Sequence, residues 1–259
     1  SRGDLSEAEW RLLKDLLPAE RGRKSRPAQD NRKIVNGILW RIRTGAPWRD
    51  VPEKYGKWMT VYQRFRRWSE AGVWEAVAST LAGAMADNKH HSVDSTTFGA
   101  MSRQPAQKGD REQAFGRSRG GFTCKVHCLS DAKGIPLAFH LTPGEAADCA
   151  AFEDIYALAE VKPGHLLADK GYDANAIRDK LKADGVRATI PSKSNRIKPI
   201  RWNKAIYRER NRIERMIGHL KVNRAVATRY DKLAKSFLDA LHIAAIRNVC
   251  EPQLCKQGL

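Results

Sequence analysis

The hydrophobic pattern of the chain changes once, near residue 90, and this change limits the folds that the chain can adopt. Before that point apolar residues such as Ile34 and Ile38 recur at helical spacing, and six of the seven tryptophans lie there. After it, short apolar runs alternate with helical segments, a pattern typical of a sheet flanked by helices. We expect an all-helical domain over residues 1–89, an α/β domain with a mixed sheet over 90–250 and a C-terminal tail over 251–259.

One helix of the first part has the features of a DNA recognition helix. It begins after the break at Gly56 and has an apolar face that includes Val61 and Phe65. Its other faces are basic, and such a helix fits the DNA major groove, where arginine binds guanine and phosphate. We therefore predict a helix-turn-helix-like DNA-binding domain, although a solvated helical face would give the same pattern. The basic residues predicted to contact DNA are Arg64, Arg66 and Arg67.

The charge balance points to a polyanionic partner. Among 259 residues, 47 Lys and Arg stand against 29 Asp and Glu, and the net charge of +18 costs self-repulsion unless a polyanion binds. Residues 193–235 alone hold 14 basic and three acidic residues, so we expect the contact to centre there. No apolar run approaches the roughly 18 residues of a membrane span, and no secretory signal is visible. We expect a cytoplasmic protein without membrane contact.

The five cysteines do not indicate a disulfide framework, because their number is odd and they are sparse. Cys124 and Cys128 flank His127, which invites a zinc interpretation. Alternating polarity predicts a strand there, however, and four residues of strand separate the two sulfurs by about 13 Å. Because one metal ion does not easily bind both, we expect two buried apolar side chains.

Three further polar residues are assigned structural roles. Lys125 and His127 share the strand face opposite the cysteines, and such a polar face is commonly exposed to solvent. Asp148 follows a Pro-Gly turn and is expected to open a helix over about residues 147–160. A catalytic role is the less favoured interpretation for all three.

Three acidic residues stand out by position. Asp94 lies within the first short strand of the α/β part, and Asp169 lies at the carboxyl end of a later one, where α/β sheets place ligands. Glu214 lies on a basic helix and, taken alone, fits an ion-paired surface residue. Taken together, three acids buried in a basic protein are costly unless cations bind them, and Mg²⁺ prefers oxygen ligands. Two such ions can promote an in-line displacement at phosphorus.

The helix that carries Glu214 has a specific spacing of residues. Four of them fall on one helical face because they are 3, 4 and 7 positions apart: Tyr207, Arg210, Glu214 and Lys221. This spacing resembles the signature of bacterial insertion-sequence transposases with a DDE catalytic triad. Four segments resemble parts of the insertion-sequence-five family: residues 48–52, 93–96, 116–121 and 168–172. The likeness covers nearly the whole chain.

This resemblance implies an RNase H-like catalytic core in which Asp94, Asp169 and Glu214 bind two Mg²⁺ ions, for which Mn²⁺ can substitute. Water would cut at the ends of the element, and the freed 3′ hydroxyls would attack target DNA. A homodimer would pair the two ends in the nucleoid of a bacterial cell. The residues implied to contact phosphates of the transposon ends are Tyr207, Arg210 and Lys221. The loop that carries Arg117 and Arg119 would either touch DNA or only be flexible.

Two other interpretations remain open. The chain could be a sequence-specific DNA-binding protein without chemistry, such as a repressor or a domesticated transposase. It could also be a Mg²⁺-dependent nuclease that cuts DNA but does not join it. All three proteins would bind double-stranded DNA in a salt-dependent way.

Overall fold

A computed structural model gives the fold and describes residues 3–20, 30–99, 116–118, 121–229, 231 and 233–256; for 117, 118 and 251–256 it describes the backbone alone. The chain divides into two compact units. The first, called the helical unit, comprises Ser1–Leu81 and Leu220–Leu259. The second, called the sheet unit, comprises Ala82–His219. The domain limits expected from the sequence remain predictions.

The described residues form ten α-helices, six strands and several short 3₁₀ turns. The helices are α1 (Glu7–Leu13), α2 (Asn31–Thr44), α3 (Trp58–Glu70), α4 (Val73–Met85), α5 (Phe152–Ala157), α6 (Asn175–Ala183), α7 (Lys204–Tyr207), α8 (Asn211–Val222), α9 (Arg224–Thr228) and α10 (Ala234–Lys256). The strands are β1 (His90–Gly99), β2 (Gly116–Ser118), β3 (Gly121–Ser130), β4 (Pro136–Pro143), β5 (His165–Leu167) and β6 (Arg187–Thr189).

The ends of the first helices follow their sequence signals. The spacing of Ser6 and Glu9 predicts a capping box before α1. It is present, because Ser6 Oγ accepts a hydrogen bond from Glu9 N (3.2 Å) and Ser6 N donates to Glu9 Oε2 (2.6 Å). Gly45, with φ 68°, ends α2 in the left-handed conformation that glycine adopts without strain. These local contacts set where α1 begins and where α2 stops.

The core of the helical unit forms from the apolar faces of its helices. Ile34, Ile38 and Ile42 of α2 are fully buried, and α10 packs against α1, α2 and α3. Each fully buried aliphatic side chain contributes about 1.5–3 kcal/mol by leaving water. Helix α10 therefore helps to complete the hydrophobic core that the N-terminal helices begin.

The sheet unit contains the mixed sheet that the sequence predicts. Its strand order is β2-β3-β1-β5-β6, and β4 also pairs with β3. Strands β1, β5 and β6 are parallel, whereas β3 pairs antiparallel with β1, β2 and β4. The apolar runs over residues 122–129 and 135–142, joined by a short turn, predict a hairpin, and β3 and β4 form it. A hydrophobic cluster that includes Val93, Leu129, Phe152 and Leu166 packs between strands and helices of this unit.

Three local predictions in the sheet unit are wrong. The helix expected over residues 147–160 is only α5, because Asp148 lies in a turn where its carboxylate contacts side chains of β1 and β3. The sequence also predicts that Asp173 opens the helix over about residues 174–183, yet Asp173 does not cap α6; it is buried against Arg178 and Arg196. The single helix expected around Glu214 is interrupted by a 3₁₀ turn between α7 and α8.

Two expected properties of the chain can be compared with the described residues. None of the described helices is both long enough and apolar enough to span a bilayer. Cys124 and Cys128 form no disulfide bond and are fully buried, which confirms their assignment as apolar side chains of the strand.

Candidate active site

Asp94 and Asp169 lie where two neighbouring parallel strands stop pairing. The β1–β5 pairs run from His90 with His165 to Ser92 with Leu167. Each aspartate lies two residues beyond this last pair, Asp94 in β1 and Asp169 after β5. Because parallel strands run the same way, both carboxylates emerge at one edge of the sheet. The sequence predicted Asp169 after its strand and Asp94 within its strand, as observed, but β1 is ten residues long and not the short strand expected.

Asp94 is a half-buried carboxylate with one charged partner. Its side chain is 16% exposed, its Oδ1 lies 2.9 Å from Arg210 Nη2, and Ser95 N donates a hydrogen bond to Oδ1 (2.9 Å). Burial raises the pKa of Asp94, the nearby Arg210 guanidinium opposes that rise, and the charge of Asp169 adds to it. The site thus contains a carboxylate that gains from any further cation.

Asp169 is held by the turn that follows it. Its Oδ1 accepts a hydrogen bond from Gly171 N (2.8 Å). A Cβ atom added to Gly171 would stand 2.8 Å from that same oxygen, so a larger residue there would displace the Asp169 carboxylate. An open cleft of about 480 Å³ adjoins the carboxylate. Its lining residues are Asp169, Lys170, Gly171, Lys193, Ser194 and Asn195.

Arg210 links the third acid to the first. Its Nη1 lies 2.5 Å from Glu214 Oε1, while its Nη2 contacts Asp94, so one guanidinium bridges the two carboxylates. The Glu214 side chain is 54% exposed. Arg212 anchors the start of α8, because its Nη1 donates to the carbonyl oxygen of Ala132 in the β3–β4 turn. Glu214 therefore faces the strand-end acids through an arginine.

Tyr207 lies beside this bridge, in the short helix α7. It is half-buried, and its ring packs edge-on against Trp202 with 4.9 Å between the ring centroids. Burial raises the pKa of Tyr207, partly opposed by Arg210, so the phenol stays neutral at physiological pH. The structure brings Tyr207, Arg210 and Glu214 together, although through a helix, a 3₁₀ turn and a second helix.

Lys125 and Asp148, which sequence reasoning assigned to structural roles, also belong to this region. Lys125 Nζ donates to Ala146 O (2.6 Å) and to Asp148 Oδ1 (3.0 Å), and Ser95 Oγ donates to the same Oδ1 (2.7 Å). The Lys125 side chain is only 14% exposed, so the prediction of a solvent-facing strand face is wrong. Strand β3 pairs with β1, β2 and β4, and most of its side chains on both faces are buried.

His127 lies on the same covered face of β3. It is fully buried, with Nε2 2.9 Å from Thr142 Oγ1 and Nδ1 3.4 Å from the Tyr172 hydroxyl. Burial lowers the pKa of His127 to about 4, so the ring is neutral at physiological pH. Its expected exposure is wrong for the same reason as that of Lys125. Sequence reasoning missed this burial, because alternating polarity along a strand does not show which of its faces other elements cover.

The site offers carboxylate oxygens, the type of ligand that a hard divalent cation prefers. Within the described residues, no group of three or more His, Cys, Asp or Glu is arranged to hold a metal ion. Asp94 and Asp169 nevertheless supply carboxylate oxygens at one sheet edge, which are the ligands that Mg²⁺ and Mn²⁺ accept. The positive charge that joins Asp94 to Glu214 in this structure is the guanidinium of Arg210.

The basic residues predicted to bind DNA lie in different environments. Arg66 is half-buried and pairs with Glu70 (3.1 Å), and Arg67 is exposed, both on α3. The prediction that Arg64 faces DNA is wrong. Arg64 is buried, and its Nη1 donates a hydrogen bond to Asn31 Oδ1 (2.6 Å). Lys221 is exposed on α8. Only the backbone of Arg117, in β2, is described, and Arg119 lies outside the described residues.

Two family models match the chain. The model described as "Transposase DDE domain" matches residues 86–249, more than half of the chain. The model described as "Putative transposase of IS4/5 family" matches residues 5–78. Together they cover the segments in which the sequence resemblance was found.

Individual relatives are similar over shorter stretches. A Brucella ovis protein named "Putative transposase for insertion sequence element IS6501" is 35% identical over 127 residues, 47% of this chain and 94% of that protein. A 16.2 kDa protein of insertion element IS402 from Burkholderia cepacia is 33% identical over 103 residues, 36% of this chain and 70% of its own length.

A comparison with solved structures supports the fold. A piggyBac transposase synaptic complex with hairpin DNA aligns with 97% of this chain and 72% of that chain, at a TM-score of 0.53 and 9% identity. With the mixed sheet and the DDE-domain match, this likeness confirms the RNase H-like class expected from the sequence.

Proposed function

The chain belongs to the family of transposases with a DDE domain, and on this premise we propose that it binds the terminal inverted repeats of an insertion sequence and catalyses metal-dependent cleavage and joining of DNA there. The observation that carries the proposal is the placement of Asp94 and Asp169. Both follow the end of the β1–β5 pairing, and Arg210 ties the first of them to Glu214. Carboxylates gathered in this way suit phosphoryl transfer better than DNA binding alone.

The three acids would hold divalent cations, with Mg²⁺ as the natural ion and Mn²⁺ as a substitute. Bound there, two such ions would lower the pKa of an attacking water and stabilise the leaving oxygen. Asp94 and Asp169 would do so from fixed positions at the sheet edge. Glu214 is the more exposed of the three, so we propose that it completes the site when DNA and cations are present.

The basic residues around the acids would hold the DNA strand. Lys170 and Lys193 line the cleft beside Asp169, where a phosphate group could be neutralised. Arg210 has two carboxylate partners in this structure and would exchange one of them for a phosphate of the transposon end. We propose DNA contacts for Tyr207, Lys221, Arg66, Arg67, Arg117 and Arg119 as well, but not for Arg64.

Two partners follow from this chemistry. The duplex ends of the element and the target DNA are polyanions, which suits a chain of net charge +18. Both ends of one element must be held during joining, so we propose that the protein acts as a homodimer on the chromosome of a bacterial cell. The chemistry does not require a larger assembly.

The decisive experiment uses a DNA fragment that carries both ends of the element with flanking sequence. Purified protein is incubated with it in Mg²⁺, in Mn²⁺ and in chelator, beside the variants Asp94→Ala and Glu214→Gln. The matched control is Asp179→Asn, which removes an exposed carboxylate from α6 of the same unit. We expect nicks at both ends only with metal ions, retained in the control and lost in the two site variants.

Other results would contradict the proposal in distinct ways. DNA binding without cleavage in any metal ion would leave a sequence-specific DNA-binding protein. Cleavage without transfer of the ends to a target would leave a nuclease. Cleavage that persists in Asp94→Ala would place the chemistry elsewhere in the molecule.

A further inference from the structure

The spacing of Asp94 and Asp169 is not set by the sheet alone. The β1–β5 pairing ends at Ser92 and Leu167, and beyond it the two chains separate. Strand β1 continues along β3, whereas the chain after β5 enters a 3₁₀ turn, Lys170–Tyr172. Carboxylates that bind a shared cation must be held to within a few tenths of an ångström. Another contact must therefore fix this distance.

The turn before α5 supplies such a contact. Asp148 Oδ1 accepts hydrogen bonds from Ser95 Oγ (2.7 Å), on the residue next to Asp94, and from Lys125 Nζ (3.0 Å) of β3. Lys125 Nζ also donates to Ala146 O in the same turn (2.6 Å). The Lys125 ammonium and Asp148 Oδ1 thus connect three segments, namely β1, β3 and the turn.

The other oxygen of Asp148 reaches the Asp169 side. A Cβ atom placed on Gly171 would stand 3.2 Å from Asp148 Oδ2 and 2.8 Å from Asp169 Oδ1. Asp148 and Asp169 therefore approach the same small space from two sides. Because Asp148 also touches Ser95, it connects the segment that carries Asp94 with the segment that carries Asp169.

The cation in this contact is Lys125. Asp148 and Asp169 are both acids, and like charges this close repel unless a positive group compensates them. Lys125 pairs with Asp148 at 3.0 Å in a setting that leaves the lysine 14% and the aspartate 26% exposed. We propose that Lys125 is a positioning residue: it holds Asp148 in place, and Asp148 in turn sets the spacing of Asp94 and Asp169 for binding of divalent cations.

This inference deepens the proposed function and rests on it for the identity of the site, and its test begins without DNA. The variants are Lys125→Met, which removes the charge but keeps the length of the side chain, and Lys125→Arg, which keeps the charge. Ser95→Ala, which removes one of the two bonds to Asp148, serves as a milder change if Lys125→Met does not fold. Lys133→Met is the control, since Lys133 is exposed in the β3–β4 turn and donates to Met85 O (2.8 Å).

The first readout is Mn²⁺ binding to the DNA-free protein, measured from the electron paramagnetic resonance signal of free Mn²⁺. Loss of a residue that orients ligands typically weakens metal binding by about 10–100-fold. We expect a weakening of this size for Lys125→Met, a smaller one for Ser95→Ala, partial recovery for Lys125→Arg and no change for Lys133→Met. Binding in Lys125→Met or Ser95→Ala equal to that of the wild type, or no binding by the wild type itself, would overturn the inference.

The second readout separates the inference from the proposed function. With the two-ended DNA, we expect Lys125→Met to lower kcat by about 10–100-fold and leave KM for DNA unchanged, because positioning acts on the carboxylates. If the wild type and Lys125→Met cut DNA equally well, the inference fails and the function stands. If the wild type does not cut DNA, the function fails and the Mn²⁺ comparison still decides the inference.

Discussion

Arg210 supplies positive charge that compensates two acidic residues of the candidate site. Its side chain is 14% exposed and pairs with Asp94 and Glu214 at once. Burial raises the pKa of Asp94, and the guanidinium is the main group that opposes the rise. Without Arg210 and without metal ions, Asp94 would be a desolvated carboxylate close to a second one, Asp169, and no positive charge would compensate it. The arginine therefore stabilises the site in the absence of metal ions.

Replacing this arginine should destabilise the metal-free protein. We expect Arg210→Ala to lower the free energy of unfolding by about 1–3 kcal/mol, because it leaves a half-buried carboxylate without its charged partner. Urea unfolding in chelator measures this change. Arg215→Ala removes an exposed arginine from α8, the helix that follows the turn of Arg210, and should change stability by less than about 0.5 kcal/mol. Equal losses in the two variants would show that the bridge contributes nothing.

At the scale of single residues, the sequence predicts the position of a side chain when helical spacing determines it. It does not predict that position when a partner distant in sequence determines it. The spacing of four residues predicted one helical face, with Tyr207, Arg210, Glu214 and Lys221. The first three lie together, although a 3₁₀ turn interrupts the helix. Arg64 was predicted to face DNA, yet it is buried because Asn31, far away in sequence, offers an acceptor. A helical period separates apolar from polar faces, but it does not show which polar residue finds a buried partner.

Among the secondary-structure elements, the fold was predictable wherever a strand or helix was long and strongly periodic. Helices α2 and α3 and the β3–β4 hairpin appear where their patterns placed them. Helix α5 does not, because the side chain of Asp148 is committed to β1 and β3 before the helix begins. The role of β3 as a central strand was equally hidden, since strand order depends on contacts between distant segments.

Helices α3 and α10 are linked by a buried polar contact that should depend on pH. Ser69 Oγ of α3 donates a hydrogen bond to Asp239 of α10, and both residues are buried. Burial raises the pKa of Asp239 to about 6, while the bond from Ser69 and the charge of Lys235 oppose the rise. Because this value exceeds that of an unfolded aspartate, near 3.9, folding favours the protonated form. The resulting stabilisation is complete below about pH 4 and is lost as the pH rises through about 6.

The variant Asp239→Asn should remove this dependence. Relative to the wild type, we expect its free energy of unfolding to increase between about pH 4 and 6 by roughly 2–3 kcal/mol and then to stay level. Urea unfolding at a series of pH values measures the difference. Asp179→Asn, at an exposed position of α6, should show no such step. A constant difference between the wild type and Asp239→Asn across this range would refute the argument.

Over the whole molecule, charge should govern the strength of DNA binding. The net charge is +18, and residues 193–235 hold much of the excess. Each phosphate that a lysine or arginine neutralises releases counterions, so affinity falls steeply as salt concentration rises. Binding to element ends and to unrelated DNA should therefore share one salt-dependent component.

A variant of Lys221 tests the salt-dependent component of DNA binding. We expect Lys221→Ala to weaken binding to element ends and to unrelated DNA by a similar factor, and to reduce the slope of log K against log salt by about 1. Fluorescence anisotropy across a range of salt concentrations measures both quantities. Lys182→Ala, at an exposed position of α6, provides a control of equal charge change. A loss confined to element ends would instead assign Lys221 to recognition of sequence.

The make-up of the helical unit could not be predicted from the sequence. Apolar periodicity shows that α10 has partners, but it does not show that α1, α2 and α3 are among them. The unit therefore draws on two distant stretches of chain, Ser1–Leu81 and Leu220–Leu259.

This arrangement has a consequence for the protein as it leaves the ribosome. The N-terminal helices emerge first, but α10, which packs against them, is made only after the whole sheet unit. At about 5–20 residues per second, the delay is on the order of 10 s. During that time part of the apolar surface of α1, α2 and α3 is uncovered in the nascent chain. The helical unit is thus completed only after the sheet unit has emerged.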